Sequence, residues 1–246
     1  MIQNSEVLIV VPAYNESATI AKVVSEIHEA GFTCVVVDDG SEDDTSKLAK
    51  EAGANVLTLP FNAGVGGALR CGFRFAVEKQ FKAIIQCDAD GQHHSSHFQD
   101  LINTTNKNGA DLVLGSRFLS SENQLDPNRI RRFAMWWLAR VASQATNSKI
   151  TDSTSGFRLI RRPLLDQLAE NLPEYYLGDT FEALVVIGRA GYSVEEIGTA
   201  MSPRQSGVSS ASKGRAIALI GKSLTTVLLG LHFQINKNPN SLRQLK

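Results

Sequence analysis

Cysteine is scarce in this chain. Cys34, Cys71 and Cys87 are the only three in 246 residues, and none stands in a C-x-x-C pair or at ligand spacing from a histidine. That excludes a disulfide framework and a thiolate zinc site; the three, each in or beside an apolar stretch, read as buried thiols of a reducing compartment. Surplus charge is missing too. Lys plus Arg equals Asp plus Glu at 25 each, so no global field draws nucleic acid, and attraction for an ionic ligand has to be local. The amino terminus "MIQNSEVLIVVPAYNE" has no basic segment ahead of an apolar core and cleavage site, and its hydrophobic run is about one strand long. A cytoplasmic location is expected. No stretch reaches the roughly 18 uninterrupted apolar residues of a membrane span, and the nearest, Ala216 to Phe233, is broken by Lys222. This segment reads either as a helix packed on the domain or on a second copy in a homodimer, or as a helix lying on the inner face of the membrane.

What the chain does have is alternation. "EVLIVVP", "TCVVVDD", "ANVLTLP", "KAIIQCD" and "DLVLGSR" are strand-like, with helices expected between them near Ser17 to Ala30, Asp44 to Ala52, Gly66 to Lys79 and Ser96 to Asn108. The Val, Ile and Leu runs are nearly continuous, as in strands covered on both faces, which predicts an α/β fold with a mostly parallel central sheet and helices on both sides. The length suits one core. The second half is less regular: a helix near Asn128 to Thr146, then "DSTSGFRLIRRP", a helix near Asp179 to Ala190, a strand "YSVEEIG" and the loop "SPRQSGVSSASKGR". We expect a single domain over 1–235, a nucleotide-binding half to about 118 and an acceptor half from 119, then a flexible tail over 236–246.

Open sheets of this kind bind ligands at the carboxyl ends of their strands. There the sequence places "PAYNE", "DDGSEDD", "PFNAGVGGA", "DADGQHH" and "GSRF". Asp88 and Asp90, two like charges at a strand tip, call for a positive partner, because unpaired buried ions cost several kcal/mol. With Gln92 they offer oxygens that suit Mg²⁺ or Mn²⁺, which fill their remaining positions with substrate phosphates. The plainer reading is that Asp88 caps a turn and Asp90 begins a loop. His93 and His94 are read as a solvated pair in preference to ligands. Asp38 and Asp39 also end a strand; Ser41 or Asp44 is the expected helix cap, which leaves Asp39 for a base or ribose. The glycines Gly64, Gly66, Gly67 and Gly72 fit neither a dinucleotide fingerprint nor a Walker loop. Arg117, Arg129, Arg131, Arg132, Arg158, Arg204 and Lys213 could neutralise phosphates, with Arg204 and Lys213 on a loop that reads as a cationic lid, although "RIRR" also fits the solvated start of a helix.

The ordered set "VVPAYNE", "VVDDGSEDDT", "NAGVGGALRCGF", "CDADGQH", "GSRF", "STSGFR" and "PRQSGVSS" resembles, over about residues 6 to 215, the family 2 glycosyltransferases of GT-A fold, and within them the dolichyl- and polyprenyl-phosphate sugar synthases. The likeness departs at His94-Ser95, where family members often carry Pro-Pro, and in the absence of following membrane helices. It implies an inverting, Mg²⁺- or Mn²⁺-dependent transfer from a GDP- or UDP-sugar to a polyprenyl phosphate, in cell-envelope biogenesis, with peripheral membrane contact or a membrane partner. It further implies that Pro12, Tyr14, Glu16, Asp39, Asp88 and Ala89 hold the nucleotide, that Asp88, Asp90 and Gln92 hold the metal, and that Arg117, Arg131, Arg204 and Lys213 hold phosphates. Asp90 and Arg117 are catalytic candidates, joined by Asp179 as the base that a hydroxyl acceptor would require, with Glu182 one helical turn on. Two alternatives stay open: a saccharide or small-molecule hydroxyl as acceptor, and a nucleotide-sugar binding or nucleotidyltransferase domain.

Overall fold

The computed structural model describes residues 1–119, 129–172, 180–202, 235 and 237, with 129–134 as helical backbone alone. Seven strands form one sheet: β1 (Val7–Ala13), β2 (Thr33–Asp38), β3 (Asn55–Thr58), β4 (Ala83–Gln86), β5 (Leu112–Ser116), β6 (Arg158–Arg161) and β7 (Val194–Gly198). Their order across the sheet is β3-β2-β1-β4-β6-β5-β7. All pairings are parallel except those of β6, which runs against both neighbours, with Ile160 opposite Ile84 on one side and Leu112 on the other.

The helices are α1 (Ile20–Glu29), α2 (Thr45–Glu51), α3 (Val65–Glu78), α4 (Phe98–Asn108), α5 (Arg129–Thr146), α6 (Leu164–Asn171) and α7 (Thr180–Arg189). Successive strand residues divide between two buried clusters, as the two-residue strand period requires. Val7, Ile9 and Val11 face α1, α2 and α4 through Val24, Ala49 and Phe98. Leu8 and Val10 face α3, α5, α6 and α7 through Phe73, Leu138, Leu165 and Leu184. Gly72 lets α3 press on β1, since a Cβ there would run into the Val10 side chain. Both faces are covered, and the expected α/β architecture is present.

Some expectations needed correction. The stretch "DSTSGFRLIRRP", read as part of a less regular half, holds β6, and α6 follows it. Cys71 is half-buried, whereas Cys34 and Cys87 are buried, and burial pushes the Cys34 thiol up to about 12. Asp44 stands at the cap position of α2 but its side chain makes no capping bond; the Oδ1 of Asp43, one residue earlier, accepts the Thr45 N–H at 3.0 Å. In the 236–246 segment, the Lys237 Nζ pairs with Asp111 at 3.1 Å and lies over the Tyr192 ring. The rest of it, and the 216–233 segment, lie outside the described residues. Among the described residues no helix is long and apolar enough to cross a membrane.

Candidate active site

The carboxyl ends of β1, β2, β4 and β5 meet along one edge. On its first side, two loops are stapled together. The Asn15 N–H donates to Ser41 Oγ at 2.9 Å, and Asn15 Oδ1 accepts the Glu42 N–H at 2.9 Å. Glu16 N–H donates to Thr45 Oγ1 at 2.9 Å, and Ser17 N–H to Asp43 Oδ2 at 3.1 Å. Asn15 adopts φ +56°, a left-handed conformation that asparagine tolerates better than most residues. Pro12 and Glu16 are half-buried and Tyr14 is exposed along this side.

Asp39 is buried, and its Oδ1 accepts the Ala63 N–H at 2.8 Å. Burial raises its carboxyl above the ordinary value, and the neighbouring Asp38 charge acts in the same direction. Asp39 thus ties the β2 end to the loop after β3. At Gly40, φ is +74° and a Cβ would lie 2.8 Å from the Phe61 carbonyl carbon, so this crossing of the two loops requires glycine. An open depression of about 450 Å³ beside Ser17 is lined by Glu42, Asp43 and Asp44. Its acidity is the wrong sign for a diphosphate.

At the β4 end, the Asp88 side chain is 42% exposed while Asp90 is buried. Asp90 Oδ1 accepts the Gln92 N–H at 3.1 Å. Gln92 donates its side-chain nitrogen to the Ser202 carbonyl at 3.3 Å, which keeps its amide oxygen, the only end a cation can use, out of that bond. Ala89 belongs to the core, so its side chain is turned away from any ligand at this edge. Among the described residues no three His, Cys, Asp or Glu side chains gather as a metal cluster. The donors here are instead two carboxylates and an amide, all hard oxygens, which fits Mg²⁺ or Mn²⁺ shared with phosphates. Gly156 supports that fit: a Cβ there would come within 3.3 Å of both Asp88 oxygens, so the missing side chain keeps this corner open.

His93 is not solvated. It is buried, stacked on Phe157 at 4.8 Å between ring centroids, and its Nδ1 accepts the Asp88 N–H at 3.0 Å. An accepting Nδ1 carries no proton, so the neutral ring has its N–H at Nε2. His94 is exposed and shares a hydrogen bond with Ser202 Oγ.

At the β5 end, Arg117 forms a two-pronged pair with Asp152, Nε to Oδ2 at 2.7 Å and Nη2 to Oδ1 at 2.9 Å, and Nη2 also donates to Thr154 Oγ1 at 2.9 Å. Burial alone would raise the Asp152 carboxyl, but the Arg117 hydrogen bonds and charge outweigh it and hold it below its ordinary value. The same pair raises Arg117, and the Asp88 charge adds to that, so the two strand tips feel each other. Behind Asp152, the Glu196 carboxylate of β7 accepts the N–H groups of Thr151 at 2.8 Å and Asp152 at 2.7 Å.

The structure thus brings Asp88, Asp90, Gln92 and Arg117 to one edge with Asp39 and the 12–16 loop. Arg131 lies in the first turn of α5, described as backbone only, and Asp179, Arg204 and Lys213 lie outside the described residues. Sequence reasoning missed Asp152, Glu196 and Gly156. The signal for two of them was the "DSTSGFR" stretch itself, in which a carboxylate and a glycine flank small hydroxyl residues.

A model of glycosyl transferase family 2 matches residues 8–169, more than half of the chain. The chain belongs to glycosyl transferase family 2. Among its relatives in the family, a polyprenol monophosphomannose synthase of Mycolicibacterium smegmatis is 28% identical over 83% of this chain and 80% of its own length. An undecaprenyl-phosphate mannosyltransferase of Micrococcus luteus is 25% identical over 90% of this chain and 92% of its own. The family's GT-A fold is also that of a solved structure, glucosyl-3-phosphoglycerate synthase from Mycobacterium tuberculosis with Mn²⁺, uridine diphosphate and glucosyl-3-phosphoglycerate. It has a TM-score of 0.64 at 20% identity, covering 90% of this chain and 78% of that one.

Proposed function

We propose that this glycosyltransferase moves a sugar from a GDP- or UDP-sugar to a polyprenyl phosphate, with inversion at the anomeric carbon and with Mg²⁺ or Mn²⁺. The observation that carries the reading is the pairing of an open carboxylate corner, Asp88 and Asp90, with an oriented guanidinium, Arg117, at the tips of β4 and β5, the two strands that flank β6. The relatives named for polyprenol and undecaprenyl phosphate support the acceptor class.

In this reading the 12–16 loop, Asp39 and the main chain at Ala89 hold the nucleotide. Asp88, Asp90 and Gln92 would hold the cation, which supplies charge stabilisation on the departing diphosphate. Arg117, Arg131, Arg204 and Lys213 would hold the phosphates of donor and acceptor. An acceptor phosphate oxygen forms the new bond to the anomeric carbon while the bond to the diphosphate breaks, and the nucleoside diphosphate leaves with the electron pair. A phosphate is already an anion near neutral pH and needs no base. Asp179 would serve only a hydroxyl acceptor.

The test is to incubate the protein with nucleotide sugars and Mn²⁺, with and without polyprenyl phosphate, and to measure nucleoside diphosphate release. Lipid-dependent release, lost by about three orders of magnitude in Asp90→Ala, is expected from the several kcal/mol such a cation supplies. Release that needs only a saccharide would replace the acceptor, and full turnover in Asp90→Ala would remove the metal site.

A further inference from the structure

We infer that Asp152, held in turn by Glu196, is a positioning residue that converts Arg117 from a mobile cation into a fixed pair of donors aimed along the cleft. The inference rests on the phosphate role given to Arg117 above. Arg117 keeps 28% of its side chain exposed, while the Asp152 side chain is 0% exposed. The anchor is therefore inside the protein and the guanidinium lies at its border. Asp152 takes Nε and Nη2 of Arg117 and also its backbone N–H, at 3.3 Å. A flat guanidinium gripped at two nitrogens cannot rotate, and its Nη1 edge, outside the pair, is fixed in direction.

Asp152 is itself fixed from behind. Glu196 accepts three hydrogen bonds from the 151–152 turn, from the N–H of Thr151, the N–H of Asp152 and Thr151 Oγ1, the last at 3.0 Å. Ser155 Oγ donates to the Gly115 carbonyl at 2.6 Å, so the same turn is sewn to β5 two residues before Arg117. The next residues, Gly156 and Phe157, abut Asp88 and His93. One loop thus sets the distance between the carboxylate corner and the arginine.

Charge bookkeeping says where the effect should appear. The Arg117 and Asp152 pair is neutral as a unit, so its long-range attraction for a dianion is weak, and what it contributes is orientation toward charge that develops during the reaction. Loss of Asp152 unmasks the guanidinium charge while releasing its orientation, and therefore lowers kcat without weakening donor affinity. A merely structural role would change stability and both constants, or neither.

The experiment is a double-mutant cycle on the full chain, with Arg117→Lys and Asp152→Asn singly and together, measuring kcat, donor KM and melting temperature. We expect Asp152→Asn to lower kcat about tenfold, with donor KM within about twofold, and to change kcat less than about twofold when Lys already stands at 117. The same tenfold factor in both backgrounds, or no factor in either, overturns the positioning role. Full turnover in Arg117→Lys alone would instead remove the role of Arg117 and the inference with it, so the two failures are told apart. Should Asp152→Asn not fold, Glu196→Gln replaces it in the same cycle, with the same expected pattern at smaller size.

Discussion

The two sides of the cleft are built by opposite means. Between the 14–17 and 38–45 loops, hydrogen bonds from main-chain amides do the holding, three to neutral Ser, Thr and Asn side chains and one to the Asp43 carboxylate, with residue separations of 26 to 29. Between β5 and the 151–157 loop, a buried carboxylate paired with a border arginine, and a glutamate behind it, reach across 35 to 45 residues. Neutral contacts at a rim cost little to lose, whereas a buried charge deprived of its partner costs a great deal. The difference teaches that the side built on the 14–17 and 38–45 loops can be shaped by local turn chemistry, while the other side depends on the whole sheet being assembled.

The comparison can be pressed from its heavier side. Arg117→Ala leaves the Asp152 carboxylate buried without its cation, and the expected loss is about 3–5 kcal/mol of unfolding free energy, read from denaturant midpoints. A loss below about 1 kcal/mol would mean that the pair is solvated like any surface bridge. On the lighter side, Asn15→Ala removes one acceptor and a residue that tolerates φ +56° better than alanine, so about 1 kcal/mol of stability is expected, with donor KM raised a few-fold and kcat retained. A fall in kcat with KM unchanged would reverse the roles assigned to the two sides.

The smallest effect is the pH dependence. Asp152 and Asp111 both have carboxyls held below their ordinary value of 3.8 against the opposing pull of burial, Asp152 by Arg117, and Asp111 by Ser193 hydrogen bonds and Lys237. Their stabilisation is complete above that value and drains away as pH falls through the lower folded values. Glu196 is raised above 4.5 by burial, so its protonation acts in the opposite direction and begins at higher pH. Melting temperature should therefore hold or rise slightly on the way down toward the carboxylate range and then drop, and Asp111→Asn should shrink the drop.

Much of this fold was legible. The runs Val7–Val11, Cys34–Val37 and Leu112–Leu114 are apolar without interruption, as strands covered on both faces are. β6 was not legible because its four residues are two apolar ones between two arginines, and the sequence cannot show that Arg158 is buried with its Nε donating to the Ser155 carbonyl. Of the site, the carboxylates and Arg117 stood out by their position at strand ends. His93 was read as solvated because its neighbours in sequence are polar; its cover, Phe157, comes from 64 residues away, and Asp152 and Glu196 find each other only through the strand order.

That order has a consequence for how the molecule comes together. β4 and β5, whose tips carry Asp88 and Arg117, are not bonded to each other, and among the described residues β6 is the one strand that joins β3-β2-β1-β4 to β5-β7. As the chain is synthesised, β1 to β5 emerge before Arg158–Arg161 and β7 after it, so the edges of β4 and β5 have no common partner until β6 is made.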